Sequence, residues 1–416
     1  MTIEEVVNNL RKNPVFRMSL ASKELFHSNM LAWLLESCDS DDNLLSEIAK
    51  ALAELFMPKQ NSNGYKVLTV LREKSHFDLI IVFLPDNNDF KDDWAEIEGI
   101  FQNSYSENRD LLEKLEKSCR FVVVENKFKS IPKKTQLEEY KKKAKINFSK
   151  KIKMNDDNTT YYLLAPQVSL DQFEGCNGWE TISWNKISEK LSEALETKEK
   201  RDPFTAKFIE HYANFLENML QLTKDIEEKL SSTDNPAFPN QKDIRELSKI
   251  RIHDFYEKLW FSALLNRIIE ITGEDKFDRK GSGYTNALGL LDFKIEGPNN
   301  VWYGIQIQNK QLRIVVEPEW DYKWQGECPK KQIIEYCEDI LKRMNFMNQQ
   351  ESCSMFKFSS TKELCSFKDF KYKYIALDSD INIKDLANKI NKALTAIKES
   401  PLIEFDSTPT KHNKNT

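Results

Sequence analysis

The apolar positions of the N-terminal half change period along the chain, from that of a helix to that of a strand. Apolar residues recur every three or four positions over 22–37 and 42–56, which predicts two helices. Short runs rich in β-branched and aromatic residues at 65–71 and 77–84 predict a pair of strands. A third strand is predicted at 121–124, where four successive apolar residues indicate burial on both faces.

The remaining elements of this half complete an alternating pattern. A helix is predicted over 132–145, since proline at its start is tolerated in a first helical turn. A buried strand is predicted at 161–165, and two helical stretches follow at 185–197 and 203–230. The order helix, helix, strand, strand, strand, helix, strand predicts an α/β core with a mixed sheet flanked by helices.

A polar segment interrupted by two prolines, 231–239, predicts a linker to a second domain. The patterns beyond it predict an α+β domain, with helices at 241–272, 330–345 and 384–398 and strands at 289–295, 302–308 and 312–318. We therefore divide the chain into a domain of residues 1–230, a domain of residues 240–404 and a polar tail, 405–416, expected to be disordered.

Length, composition and cysteine usage limit the class of protein. A chain of 416 residues exceeds one ordinary core, and its 40% hydrophobic content is sufficient for folding. We expect neither a membrane span, which needs about 20 apolar residues, nor a secretory leader. The seven cysteines include no CxxC pair, which argues against a metal knuckle and a disulfide framework and favours a cytoplasmic protein.

The net charge of −5 does not indicate nucleic-acid binding, but the charges are unevenly distributed. Residues 127–153 contain eleven lysines and only two acids, whereas residues 86–118 contain ten acids and four bases. A charge run is most often a solvated face. The basic run is of interest because it begins at the strongest chemical motif in the chain, so it is a candidate surface for phosphate groups.

Two acids and a lysine lie on neighbouring predicted strands, in Phe-Asp-Leu-Ile-Ile (77–81) and Val-Val-Glu-Asn-Lys (123–127). Side chains two apart in a strand share a face, so Glu125 and Lys127 point the same way. Together with Asp78, two carboxylates could bind one hard divalent cation, and the lysine could orient a water for phosphodiester hydrolysis. An isolated Glu-x-Lys could equally mark the exposed end of a strand, with Asp78 capping a turn.

Two further pairs are candidates for the same site. Gln136 and Tyr140 are four apart and share one face of a predicted helix. They could contact a scissile phosphate or hold the strand that carries the lysine, or they could belong to an ordinary amphipathic helix. Glu24 and His27 lie in the arc of the first helix that also carries Leu31, and buried polar groups need partners. Glu24 could supply a metal ligand and His27 could hydrogen-bond substrate or a carboxylate. Both could instead be satisfied within the core or the first turn.

These strings together resemble the PD-(D/E)XK nuclease superfamily, and more narrowly a bacterial branch of PD-(D/E)XK-like proteins of unknown function. The resemblance is carried by Lys-Glu-Leu-Phe-His-Ser-Asn-Met-Leu-Ala-Trp-Leu-Leu (23–35), by the motifs at 77–81 and 123–127, and by Gln-Leu-x-x-Tyr (136–140). It covers about residues 20–165 and implies a restriction-endonuclease-like α-β-β-β-α-β core, in the order already predicted.

Carried over residue by residue, the resemblance implies a metal site and a catalytic lysine. Asp78 and Glu125 would be the acids that bind Mg²⁺ or Mn²⁺, and Lys127 would be the catalytic lysine. The sequence departs from the family name in having His76 and Phe77 where the proline stands, a position at which the proline is often lost.

The two helices would add further groups to this site. Gln136 and Tyr140 match the Q-x-x-x-Y helix of the RecB-like members, and Glu24 matches a helix acid that many members add to the metal site. The activity implied is metal-dependent cleavage of nucleic acid, with DNA preferred over RNA on family precedent, in bacterial defence or DNA processing.

Two alternatives stay open at the level of sequence. The chain could be a binding module for nucleic acid or protein that keeps the nuclease fold without cutting, with its C-terminal half engaging a protein partner or a second copy of the chain. It could also act on another phosphorylated substrate. That alternative lacks support, because no P-loop or related glycine motif occurs among only 11 glycines.

Overall fold

The computed structural model describes residues 1–19, 23–57, 64–73, 77–85, 90, 96–97, 100–101, 109–128, 134–147, 154, 157–170, 173, 178–196, 202–273, 276–285, 288–298, 301–318, 330–343, 365–367 and 370–400. His76, most of the acidic segment 86–118, much of the lysine-rich segment and the tail 405–416 lie outside these ranges. The chain forms two compact units, Met1–Lys224 and Asp225–Thr416.

The first unit contains a five-stranded mixed sheet. In sheet order the strands are β1 (Tyr65–Arg72), β2 (Leu79–Pro85), β3 (Arg120–Asn126), β4 (Thr159–Ala165) and β5 (Trp179–Ser183). The pairs β1–β2 and β2–β3 are antiparallel, whereas β3–β4 and β4–β5 are parallel. The predicted mixed sheet is confirmed, and its four predicted strands are correct to within two residues at each end.

The predicted helices surround this sheet in the predicted order, together with two short helices that precede them and one between β2 and β3. The first helix of the chain begins at a capping box in which Thr2 and Glu5 bond to each other's backbone N–H. The helices are α1 (Ile3–Lys12), α2 (Pro14–Ser19), α3 (Lys23–Leu35), α4 (Asn43–Phe56), α5 (Arg109–Ser118), α6 (Lys134–Asn147), α7 (Trp184–Glu196) and α8 (Pro203–Leu230), the last of which continues into the second unit.

The two faces of the sheet are covered by different helices. On one face, residues such as Val123 pack in a buried cluster with Leu115 of α5 and Leu137 of α6. On the other face lie α3, α4 and α7, and Phe56 of α4 contacts Tyr162 of β4 with ring centroids 6.1 Å apart. Because successive side chains in a strand alternate between faces, odd and even positions of β3 belong to different layers.

The second unit is a six-stranded antiparallel sheet with a layer of helices. Its strands, in sheet order from one edge to the other, are β10 (Cys365–Phe367), β11 (Phe370–Ala376), β9 (Gln311–Pro318), β8 (Val301–Gln308), β7 (Leu288–Glu296) and β6 (Arg279–Thr285). The helices are α9 (Gln241–Ser248), α10 (His253–Thr272), α11 (Lys330–Arg343) and α12 (Ile383–Glu399). The prediction of a C-terminal α+β domain is confirmed.

The structure corrects one predicted helix of this half and describes the segment that precedes it. The helix expected over 241–272 is broken between α9 and α10, where Arg251 has a positive φ of 61°. The segment 231–239 contributes buried residues to the second unit, and the N–H of Ala237 donates to the carbonyl of Ile381 at 2.8 Å. The two compact units divide at 224/225, inside α8, and the predicted domain bounds of 1–230 and 240–404 stay a prediction.

The described parts of the chain were predicted to lack a membrane-spanning helix and a disulfide framework. None of the helices there combines the length and the apolar character that crossing a bilayer requires. Cys38, Cys119 and Cys337 are free thiols. Burial raises the pKa of the Cys119 thiol to about 12, so this thiol is uncharged at neutral pH.

The burial of β2 predicts unequal effects for two identical substitutions. Phe83 is 0% exposed and Phe204 is 80% exposed. Phe83→Ala should lower the free energy of unfolding by about 3–5 kcal/mol, because it removes a buried ring and leaves a cavity. Phe204→Ala should change it by less than about 0.5 kcal/mol. Urea unfolding followed by circular dichroism measures both, and equal losses would contradict the central position of β2.

Candidate active site

Three of the residues singled out in the sequence meet at one end of the sheet, where β2 begins and β3 ends. Leu79 opposes Val124 in the antiparallel ladder, so Asp78, one position earlier, comes beside Glu125. Residues that oppose one another in such a ladder point to the same face of the sheet. This is the face that α5 and α6 cover, since Ile80 of β2 belongs to the same cluster as Leu137 of α6.

A direct hydrogen bond fixes the first acid to the Glu-x-Lys motif. Oδ2 of Asp78 accepts from the backbone N–H of Asn126 at 2.7 Å. The next N–H along the chain, that of Lys127, donates to the carbonyl of Leu164 in β4 at 2.8 Å. At the position where β2 does not yet supply a carbonyl, the carboxylate of Asp78 therefore takes over the acceptor role in the ladder.

Glu125 and Lys127 form an ion pair at this end of the sheet. Nζ of Lys127 lies 2.6 Å from Oε1 of Glu125, and the side chains are 11% and 2% exposed respectively. Both charges are thus largely removed from water, which is unfavourable unless they are paired. The shared face predicted from the two-residue spacing agrees with this contact.

The helix α6 lies on the same face, and its two candidate residues contact one another. Nε2 of Gln136 donates to Oη of Tyr140 at 2.7 Å. The ring of Tyr140 packs edge-on against Phe77, with centroids 5.9 Å apart, and Phe77 directly precedes Asp78. The helix is held to the sheet by buried Leu137, whose carbonyl accepts from the indole N–H of Trp179 at 3.2 Å.

Comparison with known families identifies this part of the chain. Residues 15–214 match the family model of the PD-(D/E)XK nuclease superfamily. This segment belongs to that superfamily. The match includes every candidate residue named so far and the whole sheet of the first unit, which is restriction-endonuclease-like as the resemblance implied. No curated protein and no solved structure matches the chain.

The side chains of this PD-(D/E)XK segment that could bind a divalent cation are carboxylates. Within the described residues, no group of three or more His, Cys, Asp or Glu side chains lies close enough to hold a metal. The register of β2 and β3 puts two carboxylate residues, Asp78 and Glu125, opposite one another. Such a set suits Mg²⁺, which commonly takes one or two protein carboxylates and completes its shell with waters and substrate phosphates. The residues present therefore fit a hard divalent ion.

His27 lies in a different environment from the acids of the PD-(D/E)XK motif. It is fully buried, its Nδ1 is hydrogen-bonded to Oη of Tyr212 at 3.0 Å, and its ring lies 3.9 Å from that of Phe128. Phe128 is an even position, on the face opposite Glu125. These described contacts are with aromatic side chains and indicate a packing role for His27, whereas its contact with substrate or a catalytic carboxylate stays a prediction.

Glu24 stays a candidate on sequence grounds alone. It lies in the first turn of α3, and its side chain is outside the described part of the structure. The structure thus brings Asp78, Glu125 and Lys127 to one end of the sheet, on the face that is covered by the helix carrying Gln136 and Tyr140.

Three residues that the sequence analysis did not select, Asn126, Ser28 and Trp184, are linked by hydrogen bonds on the face of the sheet opposite the acids. The side chain of Asn126 donates to Oγ of Ser28 at 3.0 Å and accepts from the indole N–H of Trp184 at 3.3 Å. Asn126 is the variable position of Glu-x-Lys, so the motif gave no reason to consider it. Its even position in the strand was the available signal, because it places the amide on a buried face of a central strand. A buried amide there needs hydrogen-bond partners.

The packing role of His27 predicts a specific pattern of stability changes. Full burial raises the pKa of Tyr212 well above its ordinary value, so its hydroxyl stays protonated at neutral pH. His27→Phe and Tyr212→Phe should each cost about 1–3 kcal/mol, since each leaves the other polar group without this hydrogen bond. The double variant should cost less than the sum of the two, as expected for groups in direct contact.

Urea unfolding of the three variants and the wild type provides this double-mutant cycle. If His27 instead faced substrate, His27→Phe would leave the stability nearly unchanged and the two substitutions would be additive.

Proposed function

We propose that the first unit is a Mg²⁺- or Mn²⁺-dependent nuclease that hydrolyses phosphodiester bonds, with DNA as its substrate. The observation that carries this proposal is the hydrogen bond from the N–H of Asn126 to Oδ2 of Asp78 at 2.7 Å. It holds one acid beside the strand end that carries the second acid and the lysine, which is the arrangement that hydrolysis at a metal centre needs.

Each group has a role that follows from its chemistry. Asp78 and Glu125 would hold the cation, which when bound polarises the phosphate and lowers the pKa of an attacking water. An ammonium has three N–H donors, so Lys127 can contact Glu125 and also orient a water or a phosphate oxygen. Its burial strengthens such contacts, because the local dielectric is low.

The helix α6 supplies two kinds of contact in this proposal. Gln136 and Tyr140, bonded to each other beside Phe77, would meet the substrate near the scissile phosphate. Lysines of the basic segment 127–153, such as exposed Lys142, would contact the phosphate backbone away from the reacting group. Such contacts give affinity without sequence preference and weaken steeply with salt.

The alternative of a fold that binds without cutting is argued against by the intact set of two acids and a lysine. A site that had lost its chemistry would have no need to keep Lys127 and Glu125 charged at 11% and 2% exposure, because burying charge is costly. Three further expectations from the sequence stay predictions. They are a protein partner or second copy bound by the C-terminal unit, a cytoplasmic location, and a role in bacterial defence.

Removing any one of the three central groups should abolish most of the cleavage. We expect Asp78→Asn, Glu125→Gln and Lys127→Met each to reduce the rate on labelled DNA in Mg²⁺ by about 100-fold or more, the scale on which a group that stabilises developing charge contributes. Chelation of the metal should have the same effect on the wild type.

The matched controls carry the same chemical changes at exposed positions of the first unit. They are Asp41→Asn, Glu4→Gln and Lys12→Met, which should cleave as the wild type does. Circular dichroism must show that the test variants are folded, since unpairing Glu125 and Lys127 also costs stability. Undiminished cleavage by Asp78→Asn, Glu125→Gln and Lys127→Met would refute the assignment.

Metal binding can be tested apart from cleavage. A ligand that binds only the folded state stabilises it, by about 2.7 kcal/mol at 100 times its Kd. Mn²⁺ should therefore raise the melting temperature of the wild type and of Asp41→Asn, and leave that of Asp78→Asn unchanged. Equal shifts in the wild type and Asp78→Asn would mean that the ion binds elsewhere.

A further inference from the structure

Asn126, the variable residue of the Glu-x-Lys motif, forms hydrogen bonds through both its backbone and its side chain. Its backbone N–H donates to Oδ2 of Asp78 at 2.7 Å, toward the acids. Its side chain, which is fully buried, projects away from them and contacts Ser28 of α3 and Trp184 of α7. Asn126 thus joins the acid on β2 to two helices on the opposite face of the sheet.

The chemistry of the partners fixes the orientation of this amide. An indole N–H can only donate, so the oxygen of Asn126 must face Trp184. The amide nitrogen then faces Oγ of Ser28, which can accept. Both the nitrogen and the oxygen of the amide are hydrogen-bonded, and only one orientation of the amide satisfies both partners. The strand end cannot rotate or slide without breaking a buried hydrogen bond, which costs about 1–3 kcal/mol.

A displaced strand end would separate the two acids. Glu125 directly precedes Asn126, and Asp78 accepts a hydrogen bond from the N–H of Asn126. The positions of both carboxylates therefore depend on the peptide bond between Glu125 and Asn126. Groups that hold metal ligands from behind typically alter affinity or activity by about 10–100-fold when they are removed. The contacts of Asn126 have this supporting geometry although the residue itself does not point toward the acids.

We infer that Asn126 is a positioning residue, which acts with Ser28 and Trp184 to hold Asp78 and Glu125 at the separation that a shared cation requires. The inference rests on the proposed function. It assigns a role to the variable residue of the motif and predicts that residues on the far face of the sheet control metal affinity.

The test measures Mn²⁺ affinity by calorimetry on the full chain. Asn126→Ala should weaken binding by about 10-fold or more, and Ser28→Ala and Trp184→Phe, which each remove one contact, should weaken it by a smaller factor. Combining Ser28→Ala with Asn126→Ala should add little to Asn126→Ala alone, since both remove the same interaction. The two milder variants also provide the test if Asn126→Ala does not fold.

Asn13 provides a matched control for loss of a buried amide. It is 7% exposed, its Nδ2 donates to the carbonyl of His211 at 2.7 Å, and its Oδ1 accepts from the N–H groups of Val15 and Phe16. Asn13→Ala should lower stability much as Asn126→Ala does, yet leave Mn²⁺ affinity unchanged. A purely structural role for Asn126 would instead give the two variants the same metal affinity.

Asp78→Asn separates failure of this inference from failure of the proposed function. If Asp78→Asn abolishes Mn²⁺ binding and the variants at Asn126, Ser28 and Trp184 bind as the wild type does, the positioning role is overturned and the metal site stands. If the wild type binds no Mn²⁺, or Asp78→Asn binds it equally well, the proposed metal site and the positioning role fall together.

Discussion

A buried backbone N–H must find an acceptor, and at the end of β3 this requirement determines the geometry of the site. The N–H of Asn126 points toward β2 at a position where that strand has not yet begun. The carboxylate of Asp78 takes the place of the missing carbonyl, at 2.7 Å. Completing the hydrogen bonding of the sheet and bringing the first acid next to Glu125 are therefore achieved by one interaction.

Because side chains alternate along β3, its charged residues and the residues that hold them in place lie on opposite faces of the sheet. The odd positions Glu125 and Lys127 face the layer of α6, where an ion pair of 2.6 Å lies at the end of an apolar strand. The even positions Asn126 and Phe128 face the layer of α3 and α7. Packing on one face thereby restrains charged groups on the other. Charged groups held in a nearly dry environment interact strongly, but they are tolerated only when paired and fixed.

Much of this arrangement follows from local sequence, and the remainder depends on contacts distant in sequence. Strands β1 to β4 were predicted because their apolar runs are unambiguous, and the two-residue spacing placed Glu125 and Lys127 on one face. Short β5 and glycine-containing β6 carry too weak a pattern. The periodicity of α3 indicated that His27 is buried, but it could not tell which face of the sheet the helix covers. Ser28 bonds to a residue 98 positions away, which no local pattern reveals.

The second unit shows why two acids and a lysine do not suffice to define an active site. Lys294, 4% exposed, lies 2.8 Å from Asp292 and also pairs with Glu317 two strands away, across Gly304. A Cβ on Gly304 would approach Cγ of Lys294 to 3.0 Å, so the absence of a side chain there lets these groups meet. This cluster lies within the paired length of the strands, where two carboxylates satisfy one ammonium. In the first unit the corresponding groups are also largely buried, but they lie where the ladder between β2 and β3 ends. This position at the end of the ladder is why the proposed chemistry is assigned to Asp78, Glu125 and Lys127, and not to the cluster around Lys294.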